Sequence, residues 1–315
     1  MTLPVLRTAD AWWLRTAEGA VRIDTDAATT AELLADRDAV RRARDAGPAG
    51  SVPLADLDLV SPVSTPCRVV AQMTNFASHV TDAGKDPATV PLTFFRKASG
   101  SVCGPADEIV RPAHVALLDY EVEIGLVIGR PLTVGDEVTQ ESLPGLVAAL
   151  VVCNDVSARD VQLPKTQFFE AKSYPTFTPV GPVLLVLEDG ELERFEDLRL
   201  RLWVDGEIRQ DARVGGDMLF GPLPALRALS RFQRLDPGDL VLTGTPAGTA
   251  LKAPSKAVEL VAHLLPTATK WRLFFTKQAR DPRYLQDGQL VEASVATDDG
   301  GLDLGSQSNR VRWAR

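Results

Sequence analysis

Continuous apolar runs, separated by short polar turns, dominate the chain after its first 65 residues. Runs of this kind are typical of strands that are covered on both faces. Patterns with helical spacing are few and short, so repeated β–α–β winding is not favoured. We therefore predict a mostly β fold with short helices (α+β), built on a closed or rolled sheet. The predicted strands are 67–73, 92–96, 120–128, 147–154, 180–187, 198–204 and 239–243.

The N-terminal part has a different pattern, which predicts a small α/β domain over 1–65 and a main domain over 66–315. Two short apolar segments around Glu18-Gly19 indicate a hairpin. The pattern from 30 to 44 predicts one helix, with Thr29 or Thr30 as its N-cap. A proline-bearing stretch then leads into the main domain. Within that domain, Asp205-Gly206 predicts a second hairpin and 219–232 a helix.

Composition narrows the classes of protein that fit. The 315 residues are 45% hydrophobic, which is enough for a large core. Three cysteines without C-x-x-C spacing predict neither a disulfide framework nor a zinc ribbon, and with no leader pattern they favour the cytoplasm. No apolar run reaches about 18 residues, so no membrane span is expected. A net charge of −8 argues against a nucleic-acid partner but permits a small anionic substrate.

The most informative segment is 119–129, which carries Glu121 and Glu123 inside a buried strand pattern. Side chains at i and i+2 leave a strand on the same face, roughly 6–7 Å apart at the Cα atoms. Unpaired carboxylates beside an apolar run are costly, and a hard cation such as Mg²⁺ or Ca²⁺ removes that cost. The alternative at this point is an edge strand whose polar face is solvated.

Further polar residues stand at the ends of predicted strands. Asn154-Asp155 closes one strand; such a pair is ordinarily a turn or a helix cap, yet Asp155 can also reach the mouth of a neighbouring strand. Arg159 and Gln162 follow at i, i+3, on one side of a short helix. Lys97 either contacts an anionic substrate or caps a strand. The loop Thr243–Gly248 suits an anion but lacks the Lys-Ser/Thr ending of a nucleotide-binding loop.

Four blocks of residues follow one another along the chain: Tyr120-Glu-Val-Glu123-Ile-Gly, Asn154-Asp-Val-Ser-Ala-Arg-Asp-Val-Gln162, Lys172-Ser173 with Thr176-Phe-Thr-Pro179, and Thr243-Gly-Thr-Pro-Ala-Gly248. In this order they resemble the fumarylacetoacetate hydrolase family. The resemblance covers roughly 67–250 well and the stretch from Tyr284 onward weakly. It implies a β-roll catalytic domain, usually a homodimer, with Mg²⁺ first and Mn²⁺ or Ca²⁺ next as the bound cation.

The resemblance also implies a role for each matching residue. His79 falls in the segment that forms a lid in the family, at the position of a catalytic histidine. Asp82 falls where relatives often carry glutamate. Lys172 falls at the active-site lysine. Metal ligands are implied at Glu121, Glu123 and Asp155, and substrate contacts at Lys97, Arg159, Gln162 and Thr245.

The expected activity is metal-dependent hydrolysis of a C–C bond in a 2,4-diketo acid. There the cation polarises the ketone and stabilises the departing enolate. The alternatives are a lyase or isomerase of the same family (an oxaloacetate decarboxylase, or a 2-hydroxy-dienoate isomerase or hydratase) and a noncatalytic keto-acid-binding protein. The stretch 250–286 departs from the family pattern and predicts an insertion, in which 271–277 is either a strand or a helix.

Overall fold

The computed structural model describes residues 2–165, 167–252 and 266–314. Its strands are Leu3–Arg7 (β1), Trp12–Thr16 (β2), Gly19–Arg22 (β3), Val69–Gln72 (β4), Phe94–Lys97 (β5), Val102–Cys103 (β6), Ile109–Arg111 (β7), Leu118–Asp119 (β8), Val122–Ile128 (β9), Val147–Asn154 (β10), Ser157–Ala158 (β11), Thr178–Pro179 (β12), Leu184–Val186 (β13), Leu198–Val204 (β14), Glu207–Arg213 (β15), Leu240–Leu242 (β16), Leu290–Thr297 (β17) and Asp303–Trp313 (β18). Its α-helices are Thr30–Ala35 (α1), Arg37–Asp45 (α2), Ala77–Asp82 (α3), Leu143–Leu146 (α4), Arg159–Gln162 (α5), Pro222–Leu229 (α6) and Thr267–Gln278 (α7).

Two packed sheets form the body of the molecule, which confirms the predicted mostly β fold. The larger sheet has nine strands in the order β3-β2-β1-β13-β10-β9-β16-β4-β5, and the smaller has five in the order β15-β14-β17-β18-β7. Alternate residues of β9, such as Ile124 and Leu126, share a buried cluster with Leu200 and Leu202 of β14. The core between the sheets therefore lies directly beneath β9.

The burial of each strand follows from its residue pattern. Every residue of β9 and β10 is buried, as expected for strands that are apolar on both faces. Strand β14 alternates, with its leucines inward and Arg199 and Arg201 on the outer face. The smaller sheet is thus covered on one side and solvated on the other, and β9 and β10 form the rigid centre of the larger sheet.

The N-terminal strands extend the larger sheet. Strand β1 pairs with β13, with Leu3 opposite Val186, so the first 65 residues share a sheet with the main domain; the division at residue 65 stays a prediction. The predicted hairpin is confirmed by the pairing of Thr16 with Gly19. Thr29 forms a capping box with Glu32, as expected for an N-cap.

The prediction of one helix over 30–44 is wrong. The chain leaves helical geometry at Asp36, where φ is −104° and ψ is 48°. The Asp36 carboxylate accepts from the amide of Ala39 and from the hydroxyl of Thr25. Asp36 therefore ends α1 and caps α2, because its side chain offers the first amides of α2 a partner.

The predicted insertion over 250–286 falls partly outside the described residues. Its described part settles one alternative, because 271–277 lies within helix α7. There Trp271 stacks on Phe275, with ring centroids 5.4 Å apart. The final strands β17 and β18 then complete the smaller sheet. No helix among the described residues has the length and apolar character that spanning a bilayer requires.

Candidate active site

The pairing of β9 with β10 brings the acidic residues of two distant segments together. Val122 lies opposite Asn154 in this antiparallel pair, so Asp155 lies opposite Glu121. The amide of Asp155 donates to the carbonyl of Glu121 at 2.8 Å, and the amide of Glu121 donates to Oδ1 of Asn154 at 2.9 Å. The strand ends are thereby locked together where the side chains must converge.

Glu121, Glu123 and Asp155 form a cluster in which one carboxylate oxygen of each lies within 4.8 Å of the others. All three residues are buried, and β9 lies between β10 and β16. The alternative of a solvated edge strand is therefore wrong. Three hard oxygen donors at this spacing fit a divalent cation such as Mg²⁺, Mn²⁺ or Ca²⁺.

Buried cations surround this cluster. Nζ of Lys172 donates to Oε2 of Glu121 and to Oδ2 of Asp155, each at 2.7 Å. Lys97 donates to the other oxygen of Asp155 and to the carbonyl of Phe177 at 2.8 Å. Lys97 thus lies at the carboxylates, as a direct partner of Asp155. Such pairing is what permits charges to be buried at all.

The three carboxylates are not equally compensated. Burial raises the pKa of Glu121, but the charges of Lys172 and Arg159 outweigh it and hold that pKa well below its ordinary value. Burial raises the pKa of Glu123 well above its ordinary value, and the negative charges of Asp155 and Glu121 raise it further. Glu123 therefore favours its protonated form in the metal-free protein, and it would release that proton to a bound cation, so the residues of the cluster fit such a cation.

Arg159 holds the back of the cluster through all three of its nitrogens. Nε donates to Asp119 at 2.8 Å, Nη1 donates to Oε1 of Gln162 at 2.9 Å, and Nη2 donates to Glu121. Arg159 and Gln162, predicted as substrate contacts, are brought to the site but bind each other. Burial lowers the pKa of Arg159, yet the charges of Glu121 and Asp119 outweigh it and raise that pKa above its ordinary value.

Asp119 is a site residue to which the sequence pattern assigned no role. It is fully buried, and its carboxylate accepts from the amides of Tyr120, Ala250 and Leu251 as well as from Arg159. It therefore connects the chain after Gly248 to the arginine behind Glu121. The available signal was its position, next to Glu121 at the start of a buried strand.

The loop Thr243–Gly248 closes another side of the site. The amide of Gly244 donates to Oε2 of Glu123 at 2.7 Å. Thr245, predicted as a substrate contact, donates its hydroxyl to the carbonyl of Val122 at 2.9 Å and accepts from Gln210 at 2.8 Å. Both hydrogen bonds of the Thr245 hydroxyl are made to other residues of the protein, so Thr245 fixes the loop against β9.

His79 lies on α3, close enough to the cluster for the charge of Glu121 to act on its imidazole. Its Nδ1 is buried and has no hydrogen-bond partner among the described residues. Burial lowers the pKa of His79, although the negative charge of Glu121 acts in the opposite direction. Asp82, predicted as its carboxylate partner, is exposed at the last position of α3, and no hydrogen bond between described residues joins the two. The predicted pair is therefore not formed in this structure.

The fold and the site define a class: a two-sheet, mostly β protein with a buried carboxylate cluster suited to a hard cation. The family model for the fumarylacetoacetate (FAA) hydrolase C-terminal domain matches residues 68–312. The chain belongs to the fumarylacetoacetate hydrolase family, which confirms the resemblance and the expected fold.

Similar proteins carry several activities in their names. The Mycobacterium tuberculosis protein Rv2993c is 33% identical over 222 residues, which cover 70% of this chain and 80% of that protein. Human mitochondrial oxaloacetate tautomerase FAHD2A is 32% identical over 202 residues, which cover 64% of this chain and 62% of the tautomerase, less than two thirds of its length.

Two solved structures illustrate the same range. A probable 2-hydroxyhepta-2,4-diene-1,7-dioate isomerase from Mycobacterium abscessus aligns with a TM-score of 0.74, 27% identity and full coverage of both chains. A fumarylacetoacetate hydrolase from Exiguobacterium antarcticum aligns with a TM-score of 0.70, 25% identity and 99% coverage of both. The family is thus established, and its members include hydrolases, isomerases and tautomerases.

Proposed function

We propose that this protein is a metal-dependent enzyme that moves a proton between carbon and oxygen in a 2-keto acid, as a keto–enol tautomerase or an isomerase. One observation carries the proposal: His79 presents an unpartnered nitrogen beside a carboxylate cluster, without a carboxylate partner of its own. Proton transfer requires only a positioned base, whereas hydrolysis also requires an activated water. The names of the tautomerase and isomerase relatives support the same class.

Glu121, Glu123 and Asp155 would hold the cation, because their oxygens converge and Glu123 has no direct cationic partner among the described residues. When bound, a divalent cation supplies a Lewis acid that polarises a ketone and favours its enolate. The remaining chemistry belongs to the side chains of the chain.

His79 acts as the base. Its lowered pKa keeps the imidazole neutral near pH 7, so the ring can accept a proton. It removes one proton from the carbon next to the ketone, and that proton returns to the enolate oxygen, so the net change is migration of a single proton. An isomerisation uses the same removal and returns the proton to a more distant carbon.

Lys172 and Lys97 supply positive charge. Both ammonium groups are buried at the carboxylates, where they offset charges that would otherwise repel an anionic keto acid. Arg159 keeps Glu121 in place while Gln162 occupies its remaining nitrogen. These residues therefore set the charge and the shape of the site, and His79 moves the proton.

Hydrolysis of a C–C bond in a 2,4-diketo acid is the second candidate. It is favoured by Asp82, which lies three residues after His79 on the same helix and can approach it if the lid rearranges around a substrate. In that reaction His79 with Asp82 removes a proton from water, and the oxygen of that water bonds to the distal carbonyl carbon. The C–C bond then breaks, and the departing enolate takes up the proton on carbon, which gives a carboxylic acid and a 2-keto acid. A homodimer and a cytoplasmic location stay predictions from the resemblance and the composition.

The test is a panel of oxaloacetate and acylpyruvates, assayed with Mg²⁺ or Mn²⁺ and with EDTA. Enol absorbance follows tautomerisation, and mass spectrometry identifies cleavage, decarboxylation and isomerisation products. We expect cation-dependent loss of enol absorbance without cleavage, abolished in His79→Gln and retained in Asp82→Asn. Cleavage products that vanish in both variants would establish the hydrolase instead, and no turnover of any keto acid would favour the noncatalytic binding protein.

A further inference from the structure

We propose that Asp217 is a positioning residue that, through Ser78, fixes the location of His79 relative to the carboxylate cluster. This inference rests on the proposed role of His79 as the base. Asp217 lies 138 residues after His79 and belongs to the segment that follows β15. Its carboxylate contacts the helix that bears the histidine, and no sequence motif singled it out.

Helix α3 lacks a cap of its own. It begins after Phe76, whose side chain makes no capping hydrogen bond, although the first amides of a helix need acceptors. Asp217 supplies them: its carbonyl accepts from the amide of Ala77 at 2.7 Å, and its Oδ1 accepts from the amide of Ser78 at 2.7 Å. The entry of α3 is therefore defined by a residue from a distant part of the chain.

Ser78 extends this contact to the other side of the site. Its hydroxyl donates to Oδ2 of Asp217 at 2.6 Å and accepts from the amide of Ala247 at 3.1 Å. Ala247 belongs to the loop Thr243–Gly248, in which the amide of Gly244 holds Glu123. One hydroxyl thus joins the His79 helix, the Asp217 segment and the loop that orients a carboxylate of the cluster.

The segment around Asp217 is itself held firmly. The amide of Leu219 donates to the carbonyl of Asn75 at 2.8 Å, and the amide of Phe220 donates to Oδ1 of Asn75 at 2.9 Å. Asn75 in turn donates through Nδ2 to the carbonyl of Thr243 at 2.8 Å. The start of α3 is therefore anchored on both sides, while Asp82 at its other end is exposed.

The anchor at the start of α3 sets the position of His79. His79 is the third residue of α3, one residue beyond the anchored hydroxyl, so a loss of the anchor displaces the imidazole. Displacements of about 1 Å cost up to roughly 100-fold in rate when they affect a reacting group. Glu123 lies on β9, Glu121 directly precedes β9, and Asp155 directly follows β10. The pairing of these two strands does not involve Asp217, so the cation site itself is expected to persist.

The experiment compares Asp217→Ala and Ser78→Ala in the full-length protein, with Asp211→Ala as the control. Asp211 carries an exposed carboxylate on the neighbouring strand β15, paired with Arg199. We expect kcat to fall at least about tenfold in both variants, with KM and Mn²⁺ affinity by calorimetry within about threefold of the starting protein. Because the two changes have the hydrogen bond between Ser78 and Asp217 in common, the double variant is expected to lose less than the product of the two single losses.

The inference is overturned if kcat is unchanged in both variants, or if kcat, KM and Mn²⁺ affinity deteriorate together, which indicates general disruption. If Asp217→Ala does not fold, Ser78→Ala carries the test. His79→Gln separates the two proposals: full activity in that variant refutes the role of His79. The placement is then judged by hydrogen exchange, which must be faster over 77–82 in Asp217→Ala if the anchor exists.

Discussion

Glu121 and Asp155 face each other at the end of the β9–β10 pair, joined by a backbone hydrogen bond of 2.8 Å and bridged by the ammonium group of Lys172. Two residues 34 positions apart therefore share the ammonium group of Lys172 through their side chains and one hydrogen bond through their backbones. The geometry makes the carboxylates, the lysine and any bound metal interdependent, and this interdependence can be measured.

Lys172→Met removes the bridging charge and leaves two buried carboxylates poorly compensated. We expect the free energy of unfolding, measured by urea denaturation in EDTA, to fall by about 3–5 kcal/mol. Saturating Mn²⁺ or Mg²⁺ is expected to restore part of the loss, because a cation that binds only the folded state stabilises it by mass action.

The matched control for this change is Lys165→Met. Lys165 pairs with Glu170 on the surface, where both side chains are about half exposed (49% and 52%). Such pairs contribute about 0–1 kcal/mol, so the control is expected to stay within that range. Equal stability of Lys172→Met and the control in EDTA would contradict the bridging role.

Glu123→Gln tests whether Glu123 is a ligand of the cation. Because burial and the neighbouring charges of Asp155 and Glu121 raise the pKa of Glu123, its neutral analogue should leave the metal-free protein as stable as before. We expect Mn²⁺ affinity, measured by calorimetry, to fall by about 100-fold or more, beyond what loss of an outer partner costs. Glu170→Gln serves as the surface control, and unaltered affinity in Glu123→Gln would remove Glu123 from the ligand set.

His79 gives a pH dependence whose sign follows from its lowered pKa. Below the ordinary value of 6.5 the unfolded chain takes up a proton that the folded protein resists, so the folded state loses stability as the pH falls from 6.5 toward the folded pKa. His79→Gln lacks this loss. The free energy of unfolding of both proteins is measured in urea from pH 8 to pH 5. The starting protein should therefore lose stability relative to His79→Gln as the pH falls.

The same direction applies to catalysis. A base that stays neutral below pH 6.5 gives a kcat/KM profile whose acid limb lies below that value. A cation bound nearby adds positive charge and acts in the same sense. An acid limb above pH 6.5 in the loaded enzyme would rule out His79 as the group that must be deprotonated.

Gly244→Ala tests the close approach of the loop Thr243–Gly248 to Asn75, which lies just before α3. Gly244 has φ of +85°, and a Cβ atom there would lie 2.8 Å from Cβ of Asn75. We expect a loss of about 2–4 kcal/mol, from left-handed strain and overpacking together, and weaker cation binding through Glu123. Gly190→Ala provides the comparison, since its φ is +80° but nothing lies within 4 Å of the added atom, so only the strain of about 1–2 kcal/mol remains.

Asp155 was assigned to the cluster by the family resemblance. The sequence pattern itself determined the fold class, most of the central strands and the pair Glu121 and Glu123. Local patterns suffice for these, because a strand covered on both faces must be apolar throughout and a Glu-x-Glu within it must place two carboxylates on one face. The same reasoning failed at Asp36, where one side chain decides between continuing a helix and capping the next.

Only the tertiary structure decided how the site is held. Register across β9 and β10 places Asp155 opposite Glu121, and side chains from far along the chain fill the remaining positions: Asp119 behind Arg159, Lys97 on Asp155, and Asp217 beneath the His79 helix. It also left Asp82 exposed, with no hydrogen bond among the described residues to the histidine it was predicted to orient. Hydrogen bonds and charges depend on distance in space, and spacing along the chain constrains that distance only within one helix or strand.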